Sequence, residues 1–464
     1  MRKFYLLALM AMVAISCQRD DYVLQASEDQ MMNEHQMSVN EISEEEAILT
    51  LTSVLEQIDP ETRGVERKIK GIEPITFNDL NPATTRTHLD TTKLLYLVNF
   101  ENNNGYAVLS ANKEISPRVL FITDMGSADI DDFIIHDDTR GGSSSGGTLT
   151  IGDLYYAPAD DYYLGDVNPQ SSGLILQQDI INNVVSLRND VNDNSPVDDL
   201  YLPHVITSTN VSPLLETLWH QRHPYNLKFP LRDASGSERH VVGCTTIATG
   251  QLLTYLADRD LHNQFNIANV TWEDIEEFKV MKSDTLASTD TFDIEYITSR
   301  DAVASLLNTI AVETDVVCDF GIGDAKGTFG LPKKVAEYLA KLEYNVTHIK
   351  NEANFSKDVQ SLVNESLSRR IPVIVGALGS AYGHASGHCW VIDGCKYIHN
   401  QQDWVNHINL GWGGSGNGWY FRDCFKSEDV YEDANSRTKD ITISPLASED
   451  EFKYTWMFNI IIVQ

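Results

Sequence analysis

One cysteine of the chain lies where a helix would activate its thiol. Cys244 follows a glycine and precedes the run Thr-Thr-Ile-Ala-Thr-Gly-Gln-Leu-Leu, which predicts a helix that begins at the cysteine. At a helix N-terminus the unsatisfied N–H groups and the helix dipole favour the thiolate. The same N–H groups can stabilise an oxyanion. This pattern alone is also typical of a buried structural cysteine, so other residues have to decide between the two interpretations.

Two later motifs supply partners for such a thiol. His388 follows a glycine at the start of an apolar run, and its distance from Cys244 along the chain (388 − 244 = 144 residues) is typical of Cys–His peptidases. A thiol nucleophile needs such a base within hydrogen-bonding reach. Further on, Asn409 offers an amide oxygen that could orient the imidazole, and Trp412 offers a ring to shield that contact from water. In the order Cys, His, Asn, these residues indicate a cysteine peptidase.

The elements that must position these residues predict an α+β fold. Hydrophobic periodicity predicts helices at 245–257, 300–313, 333–342 and 355–369, and strands at 372–377, 388–393, 406–410, 418–421 and 456–463. Upstream, helices at 41–55 and 174–187 and strands at 94–100, 106–111 and 119–123 predict a separate small α+β domain. The Gly/Ser run at 140–148 predicts a flexible, protease-accessible linker. We expect the boundary between the two domains near 205–215.

Composition and charge exclude some classes of function. The chain has 464 residues, of which 42% are hydrophobic and 22% charged, as in ordinary globular proteins. Its 67 acidic residues against 35 basic ones give a formal net charge of −32, which repels phosphate backbones. Nucleic acid is therefore not an expected partner. We also expect no cofactor and no metal, since the glycines around His384 and His388 argue against a helical metal-binding pair.

The first residues predict export. Residues 1–16 combine Arg2 and Lys3 with an apolar stretch and small residues before Cys17, the layout of a secretory signal. The apolar stretch is about a dozen residues, too short to span a bilayer as a helix. A cysteine directly after a small residue is similar to a bacterial lipobox, which implies a lipid on Cys17 and a tether over residues 17–40. We expect an exported lipoprotein, anchored at the outer membrane or cell surface, that processing can release. The alternative is a plain secretory signal that is discarded together with Cys17.

Four motifs together resemble the streptopain family of papain-fold cysteine peptidases. They are Trp-His-Gln-Arg-His-Pro-Tyr-Asn from residue 219, the helix motif from 243, Gly-His-Cys-Trp-Val-Ile-Asp-Gly from 387, and Asn-Leu-Gly-Trp-Gly-Gly from 409. They occur in the family's order, and the similarity runs from about residue 214 to the C-terminus. The resemblance implies a papain-like cysteine peptidase domain at 211–464 that acts on proteins or peptides.

The resemblance also implies a role for each site residue. Cys244 would be the nucleophile, and His388 would be the general base and then the acid toward the leaving amine. Gln221 is the candidate oxyanion-hole side chain, acting with the backbone N–H of Cys244. Asn409 and Trp412 would support the imidazole.

The upstream domain resembles the family's inhibitory propeptide. This resemblance rests on three segments, at 95–100, 105–111 and 117–120. It implies a zymogen in which residues 41–210 bind the chain's own peptidase domain as an inhibitor. Removal of the residues up to a point between about 140 and 213 would then be needed for activity.

Two departures from the family limit what can be carried over. Leu410 stands where the family has a Trp directly after the Asn, so we leave Leu410 out of the predicted site. An acidic segment at 426–451 replaces a glycine-rich loop, so substrate preference does not transfer.

Two other functions and one structural question remain open at the level of sequence. The same fold can serve as a catalytically silent surface binding module, or as a Cys–His amidase or acyltransferase acting on cell-wall peptides. The presence of both Cys244 and His388 favours the peptidase.

Cys389 and Cys395 flank a predicted strand, where they can form a disulfide or pack in the core.

Overall fold

The computed structural model describes a large part of the chain, in nine ranges. They are 40–58, 67–80, 91–133, 176–185, 210–259, 266–275, 294–381, 384–425 and 455–464, apart from 179, 182, 233–235, 237–238, 268, 272, 323–324 and 353–354. The predicted signal peptide, the lipidation site at Cys17, the linker at 140–148 and the acidic segment at 426–451 lie outside these residues. In the ranges given, no helix is both long and apolar enough to cross a membrane.

The N-terminal unit, as we call residues 40–133, is a helix on a four-stranded antiparallel sheet. Its elements are α1 (Glu44–Ile58), β1 (Ile69–Thr76), the short α2 (Phe77–Leu80), β2 (Lys93–Phe100), β3 (Tyr106–Ser110) and β4 (Val119–Thr123). Ser43 caps α1, because its Oγ accepts the N–H of Glu46 at 3.1 Å. The helix buries one apolar face, formed by Ala47, Leu51, Val54, Leu55 and Ile58.

The remainder of the described chain packs four helices and an antiparallel sheet together. Its helices are α3 (Cys244–Asp258), α4 (Ile294–Glu313), α5 (Pro332–Lys341) and α6 (Lys357–Ser368). Its strands are β5 (Asn266–Ile267), β6 (Val270–Thr271), β7 (Val317–Ile322), β8 (Ala325–Phe329), β9 (Val346–Glu352), β10 (Val373–Ala381), β11 (His384–Ile398), β12 (Asp403–Asn409), β13 (Gly418–Phe421) and β14 (Thr455–Val463). Helix α3 packs on β10 and β11, and α4 packs on α3.

A single ten-stranded sheet joins the two parts of the chain. Its strand order is β1-β2-β3-β4-β13-β12-β11-β10-β14-β9, with antiparallel pairing throughout. The pairing of β4 with β13 is the junction between the N-terminal unit and the predicted peptidase domain. Two separate hairpins, β5-β6 and β7-β8, lie outside this sheet.

The structure confirms the predicted α+β class and most of the predicted elements. Six strands escaped the sequence analysis, β1 and β5 to β9, and two of them, β1 and β9, are the edges of the main sheet. Charged side chains are common on edge strands, where they discourage pairing with another chain. Both edge strands carry charged residues among the apolar ones: β1 begins Ile-Lys-Gly-Ile-Glu-Pro, and β9 is Val-Thr-His-Ile-Lys-Asn-Glu. The hairpin of β7 and β8 is rich in glycine, which the periodicity marks only as loop.

Candidate active site

Cys244 is the first residue of α3, as the sequence predicts. The residue before it, Gly243, has φ +89°, a left-handed conformation that favours glycine. A Cβ added there would lie 3.0 Å from Cγ2 of Thr328, so the turn into the helix is also sterically tight. Residues 245–257 are all buried, whereas Cys244 itself is partly exposed. The fold therefore presents the thiol at the mouth of an otherwise buried helix, where the N–H groups favour a thiolate.

His388 lies on β11, paired with Ala377 of β10. Its Nε2 is 2.9 Å from the carbonyl oxygen of Leu410 and 3.1 Å from Nε1 of Trp412. The imidazole stacks on the Trp412 ring, with centroids 5.2 Å apart and an interplanar angle of 13°. Burial lowers the pKa of His388 to about 4, against a smaller opposing effect of the Leu410 carbonyl. The imidazole is therefore neutral at neutral pH and able to accept a proton.

The protonation state of Nε2 determines which nitrogen of His388 can act as the base. When Nε2 carries the proton it donates to the Leu410 carbonyl, and Nδ1 then has the lone pair. When Nε2 is unprotonated it accepts the Trp412 N–H instead. The imidazolium formed during a reaction has both nitrogens protonated, so the Leu410 carbonyl stabilises that state as well.

Asn409 supports the imidazole through the backbone and not by a direct bond. Its Oδ1 accepts from Nε2 of Gln251 at 3.2 Å and from the Gly411 N–H at 3.1 Å, and its Nδ2 donates to the Thr217 carbonyl at 2.9 Å. These bonds hold the backbone on either side of Leu410, whose carbonyl contacts His388. Leu410, which we left out of the predicted site, thus contributes through its main chain, and no side-chain pattern in the sequence signals such a contact.

Gln221 is the one predicted site residue whose amide is conspicuously unsatisfied. Its side chain is 1% exposed, and both Nε2 and Oε1 are buried without a hydrogen-bond partner among the described residues. Leaving a buried polar group unpaired costs about 1–3 kcal/mol. A transition-state oxyanion would supply the missing acceptor for Nε2. The backbone carbonyl of Gln221 accepts the N–H of Val242 at 2.9 Å, which ties this segment to the residues just before Cys244.

Cross-links between the segments bring the five predicted site residues into one region. The N–H of Gly413 donates to the Trp219 carbonyl at 3.0 Å, which joins the Gln221 segment to the loop that carries Trp412. A Cβ on Gly411 would lie 2.8 Å from Cγ2 of Ile247, so that loop also packs directly on the first turn of α3.

Two other cysteines, Cys389 and Cys395, are buried thiols, unlike the partly exposed Cys244. Cys389 and Cys395 do not form the disulfide that the sequence left open. Burial raises the pKa of each of these two thiols to about 12. They are therefore inert beside Cys244. Across the described ranges, no group of three or more His, Cys, Asp or Glu side chains is placed to hold a metal ion.

This arrangement defines the class of protein. The parts of a papain-like cysteine peptidase are a cysteine at a helix N-terminus, a histidine on the adjoining sheet with its Nε2 held, and a buried, unpartnered amide on a segment tied to the residues just before the cysteine. Residues 219–420 match the Peptidase C10 family. The match agrees with the resemblance to the streptopain family that the motifs carry, and the protein is a cysteine endopeptidase.

Comparison with solved structures and curated proteins adds two distant likenesses. A fragment of prointerpain A from Prevotella intermedia is similar at 16% identity and a TM-score of 0.48, covering 85% of this chain and 98% of that one. The active wild-type interpain A cysteine protease of Prevotella intermedia is similar at 20% identity and a TM-score of 0.36, covering 55% and 94%. No curated protein matches the chain.

Proposed function

We propose that the protein is an exported, lipid-anchored cysteine endopeptidase, made as a zymogen, that hydrolyses peptide bonds through Cys244 and His388. The observation that carries the catalytic part is the position of His388. Its Nε2 contacts the Leu410 carbonyl at 2.9 Å, and Nδ1 is then the nitrogen that acts on the thiol.

The reaction follows from these positions. Nδ1 of His388 takes the proton of the Cys244 thiol, and Sγ attacks the carbonyl carbon of the scissile peptide bond. Nε2 of Gln221 and the N–H of Cys244 donate to the resulting oxyanion. When the tetrahedral intermediate collapses, the C–N bond breaks and the imidazolium gives its proton to the leaving amine. Water, deprotonated by His388, then hydrolyses the thioester and restores the thiol.

The charge state of His388 fits this sequence. A neutral imidazole is the form that can accept the thiol proton, and the pKa lowered to about 4 keeps it neutral. Once the thiolate has formed, the opposite charge next to the imidazolium favours the ion pair. The Trp412 ring that stacks on the imidazole limits the access of water to this pair.

Alkylation and turnover together test the catalytic proposal. We expect iodoacetamide at neutral pH to modify Cys244 rapidly, since His388 can take its proton, and to spare Cys389 and Cys395, whose pKa values are about 12. His388→Ala should abolish the rapid reaction. The partly buried His348, which hydrogen-bonds Asn459 at 3.2 Å, provides a matched control, and His348→Ala should leave the reaction unchanged.

Turnover is measured on denatured protein and on cell-wall muropeptides in parallel. Loss of protein hydrolysis in Cys244→Ala supports the proposal, and full activity in that variant overturns it. Hydrolysis of muropeptides alone would identify an amidase instead.

The finer parts of the proposal concern anchoring and activation. The lipid on Cys17 is supported by the small residue before it and the polar tether after it. Cys17→Ser should move the protein from the membrane fraction to the soluble fraction and abolish incorporation of labelled fatty acid. The zymogen is supported by the propeptide-like upstream segment and the Gly/Ser linker, and we place the activating cut between about residues 140 and 213. A fully active, uncut chain would overturn the zymogen.

A further inference from the structure

A glutamine on the helix that presents the thiol reaches the loop beside His388. Gln251 lies on α3 about two helical turns after Cys244, so the two side chains leave the helix on the same side. Gln251 is fully buried, and its Nε2 donates to Oδ1 of Asn409 at 3.2 Å. This hydrogen bond connects the helix that carries the nucleophile to the segment that contacts the base.

A second hydrogen bond at Asn409 extends this connection to the Leu410 carbonyl. Oδ1 of Asn409 also accepts the Gly411 N–H at 3.1 Å. That N–H and the Leu410 carbonyl belong to one peptide group, which is planar and trans. The N–H and C=O of a trans peptide group point in opposite directions. A fixed N–H therefore also fixes the direction of the carbonyl, which lies 2.9 Å from Nε2 of His388.

Further hydrogen bonds hold the backbone around this peptide group. The Leu410 N–H donates to Oδ1 of Asn417 at 2.9 Å, and Nδ2 of Asn409 donates to the Thr217 carbonyl at 2.9 Å. A peptide N–H that donates a hydrogen bond polarises its peptide group and strengthens the carbonyl of that group as an acceptor. Gln251 is the member of this set that lies on α3, so its bond ties the position of the Leu410 carbonyl to the nucleophile helix.

Gln251 stands where an apolar residue would pack at lower cost. Its Oε1 is buried and has no hydrogen-bond partner among the described residues. The next two residues of the helix, Leu252 and Leu253, are apolar and fully buried. An unpaired buried acceptor is unfavourable, so a glutamine at this position indicates that its Nε2 does more than fill space.

Two groups compete for Nε2 of His388. The Leu410 carbonyl favours the tautomer in which Nε2 carries the proton. The Trp412 N–H, whose nitrogen is 3.1 Å away, favours the tautomer in which Nδ1 carries it. Only the first tautomer leaves a lone pair on Nδ1. The free-energy difference between the two tautomers therefore depends on how firmly the Leu410 carbonyl is held.

We infer that Gln251 is a positioning residue that sets the tautomer of His388, acting through Asn409 and the peptide group between Leu410 and Gly411. The inference rests on the proposed function only in that His388 is taken as the base. It gives α3 a second role, because the helix then carries both the nucleophile and the donor that fixes the partner of the base.

The tautomer of His388 is read from the ¹⁵N chemical shifts of the imidazole. The full chain is labelled with ¹⁵N-histidine in a Cys244→Ala background, in which no thiol exchanges a proton with the ring. Among the 13 histidines of the chain, His388 is identified by the signals that disappear in His388→Ala. At neutral pH the parent should carry the proton mainly on Nε2, and a parent with the proton on Nδ1 would overturn the inference.

Gln251→Met keeps the length of the side chain and removes the donor. We expect the ratio of the two tautomers to shift about tenfold toward the form protonated on Nδ1, equivalent to about 1.4 kcal/mol. An unchanged ratio would overturn the inference.

Gln360 provides a matched control. It is also a buried glutamine on a helix, and its Nε2 donates to Oδ1 of Asn406 at 2.8 Å. Asn406 lies on β12, as Asn409 does, and its Nδ2 returns a hydrogen bond to Gln360 at 2.8 Å. Gln360→Met should therefore lower the thermal stability but leave the tautomer of His388 unchanged. An equal shift of the tautomer ratio in Gln360→Met and Gln251→Met would show that the effect is general loosening of the fold, against the inference.

A second substitution keeps the test decisive where Gln251→Met does not fold. Gln251→Glu preserves the shape of the side chain, and its carboxyl can donate to Asn409 only while it is protonated. Burial raises the pKa of such a carboxyl, and its ionisation is followed by its ¹³C chemical shift. We expect the parent tautomer while this carboxyl is protonated and a shift toward Nδ1 protonation once it ionises. The same tautomer in both forms would overturn the inference.

Turnover of protein substrate separates this inference from the peptidase proposal. In the activated enzyme that retains Cys244, Gln251→Met should lower kcat about two- to tenfold at an unchanged KM, because fewer molecules have the lone pair on Nδ1. Gln360→Met should keep kcat. An unchanged kcat in Gln251→Met would count against the positioning role. A tautomer shift in Gln251→Met without hydrolysis by the parent or any variant would refute the peptidase proposal and leave the role of Gln251 supported.

Discussion

The buried charge at His407 predicts a loss of stability at alkaline pH. Burial opposes a charge on this imidazole, but the carboxylates of Asp393 and Asp124 and the hydrogen bonds to both outweigh it and raise the pKa of His407 to about 10. A group whose pKa is raised by folding stabilises the folded state fully below its unfolded pKa, here 6.5. This stabilisation is lost as the pH rises toward the folded pKa.

The size of the stability loss follows from the single proton that the folded protein holds at His407. Between about pH 7 and pH 9 the folded protein holds one proton at His407 that the unfolded chain has released, and each pH unit then removes about 1.4 kcal/mol of stability. Two units give about 2.7 kcal/mol. The side chain of Asp124 is 34% exposed, so solvent screens its part of the attraction. We therefore expect a loss of about 2 kcal/mol.

Urea unfolding at a series of pH values measures this loss. Compared in a Cys244→Ala background, the chain with His407 should lose about 2 kcal/mol more between about pH 7 and pH 9 than His407→Gln, which has no titrating group at that position. His348→Gln is the matched control. Burial lowers the pKa of His348, so its titration lies below this range and the variant should follow the parent protein. Identical pH dependence in the parent and in His407→Gln would show that His407 is neutral in the fold.

Two further substitutions test the site and its packing. Trp412→Phe keeps a ring beside His388 but removes the N–H that lies 3.1 Å from Nε2. Because this N–H favours the tautomer in which Nδ1 carries the proton and cannot take the thiol proton, we expect kcat to be retained, and a fall in kcat of about five- to tenfold would show that Nε2 is unprotonated in the working enzyme. Gly330→Ala places a Cβ 2.2 Å from Oγ1 of Thr245 in the first turn of α3, so thermal unfolding should show a loss of about 1–3 kcal/mol. Gly71→Ala, where nothing lies within 4 Å of the new Cβ, should not share that loss, and equal stability of the two variants would contradict the steric explanation.

The local sequence predicts those helices and strands whose apolar and small side chains follow the period of the element. Helix α3 follows from the small and apolar residues after Cys244, and β13 follows from the apolar run that ends at Phe421. The strand that bears His388 is longer than its apolar core suggests, and extends to Ile398. Its additional residues include Lys396, which is buried because it binds the end of α1. That burial depends on a partner more than 300 residues away in the chain.

The sequence does not reveal which groups hydrogen-bond the His388 ring. The carbonyl of Leu410 carries the hydrogen bond to His388, and a carbonyl is the same at every residue. Asn409 was a reasonable candidate to orient the imidazole, because its amide is a suitable acceptor. In the folded protein that amide is bonded to Gln251, Gly411 and Thr217. Only the tertiary structure determines which acceptor reaches the ring.

Two histidines in neighbouring strands differ in charge state because their contacts differ. His388 faces a backbone carbonyl and an indole N–H, and burial there lowers its pKa to about 4. His407 is no less buried, but two carboxylates face it and its pKa rises to about 10. A neutral imidazole can accept a proton from a thiol, whereas an imidazole that is already protonated at neutral pH balances the charge of its carboxylate partners. The difference fits the proton transfer proposed for His388 and places a charge balanced by Asp393 and Asp124 at His407, and it arises from the partners of each ring.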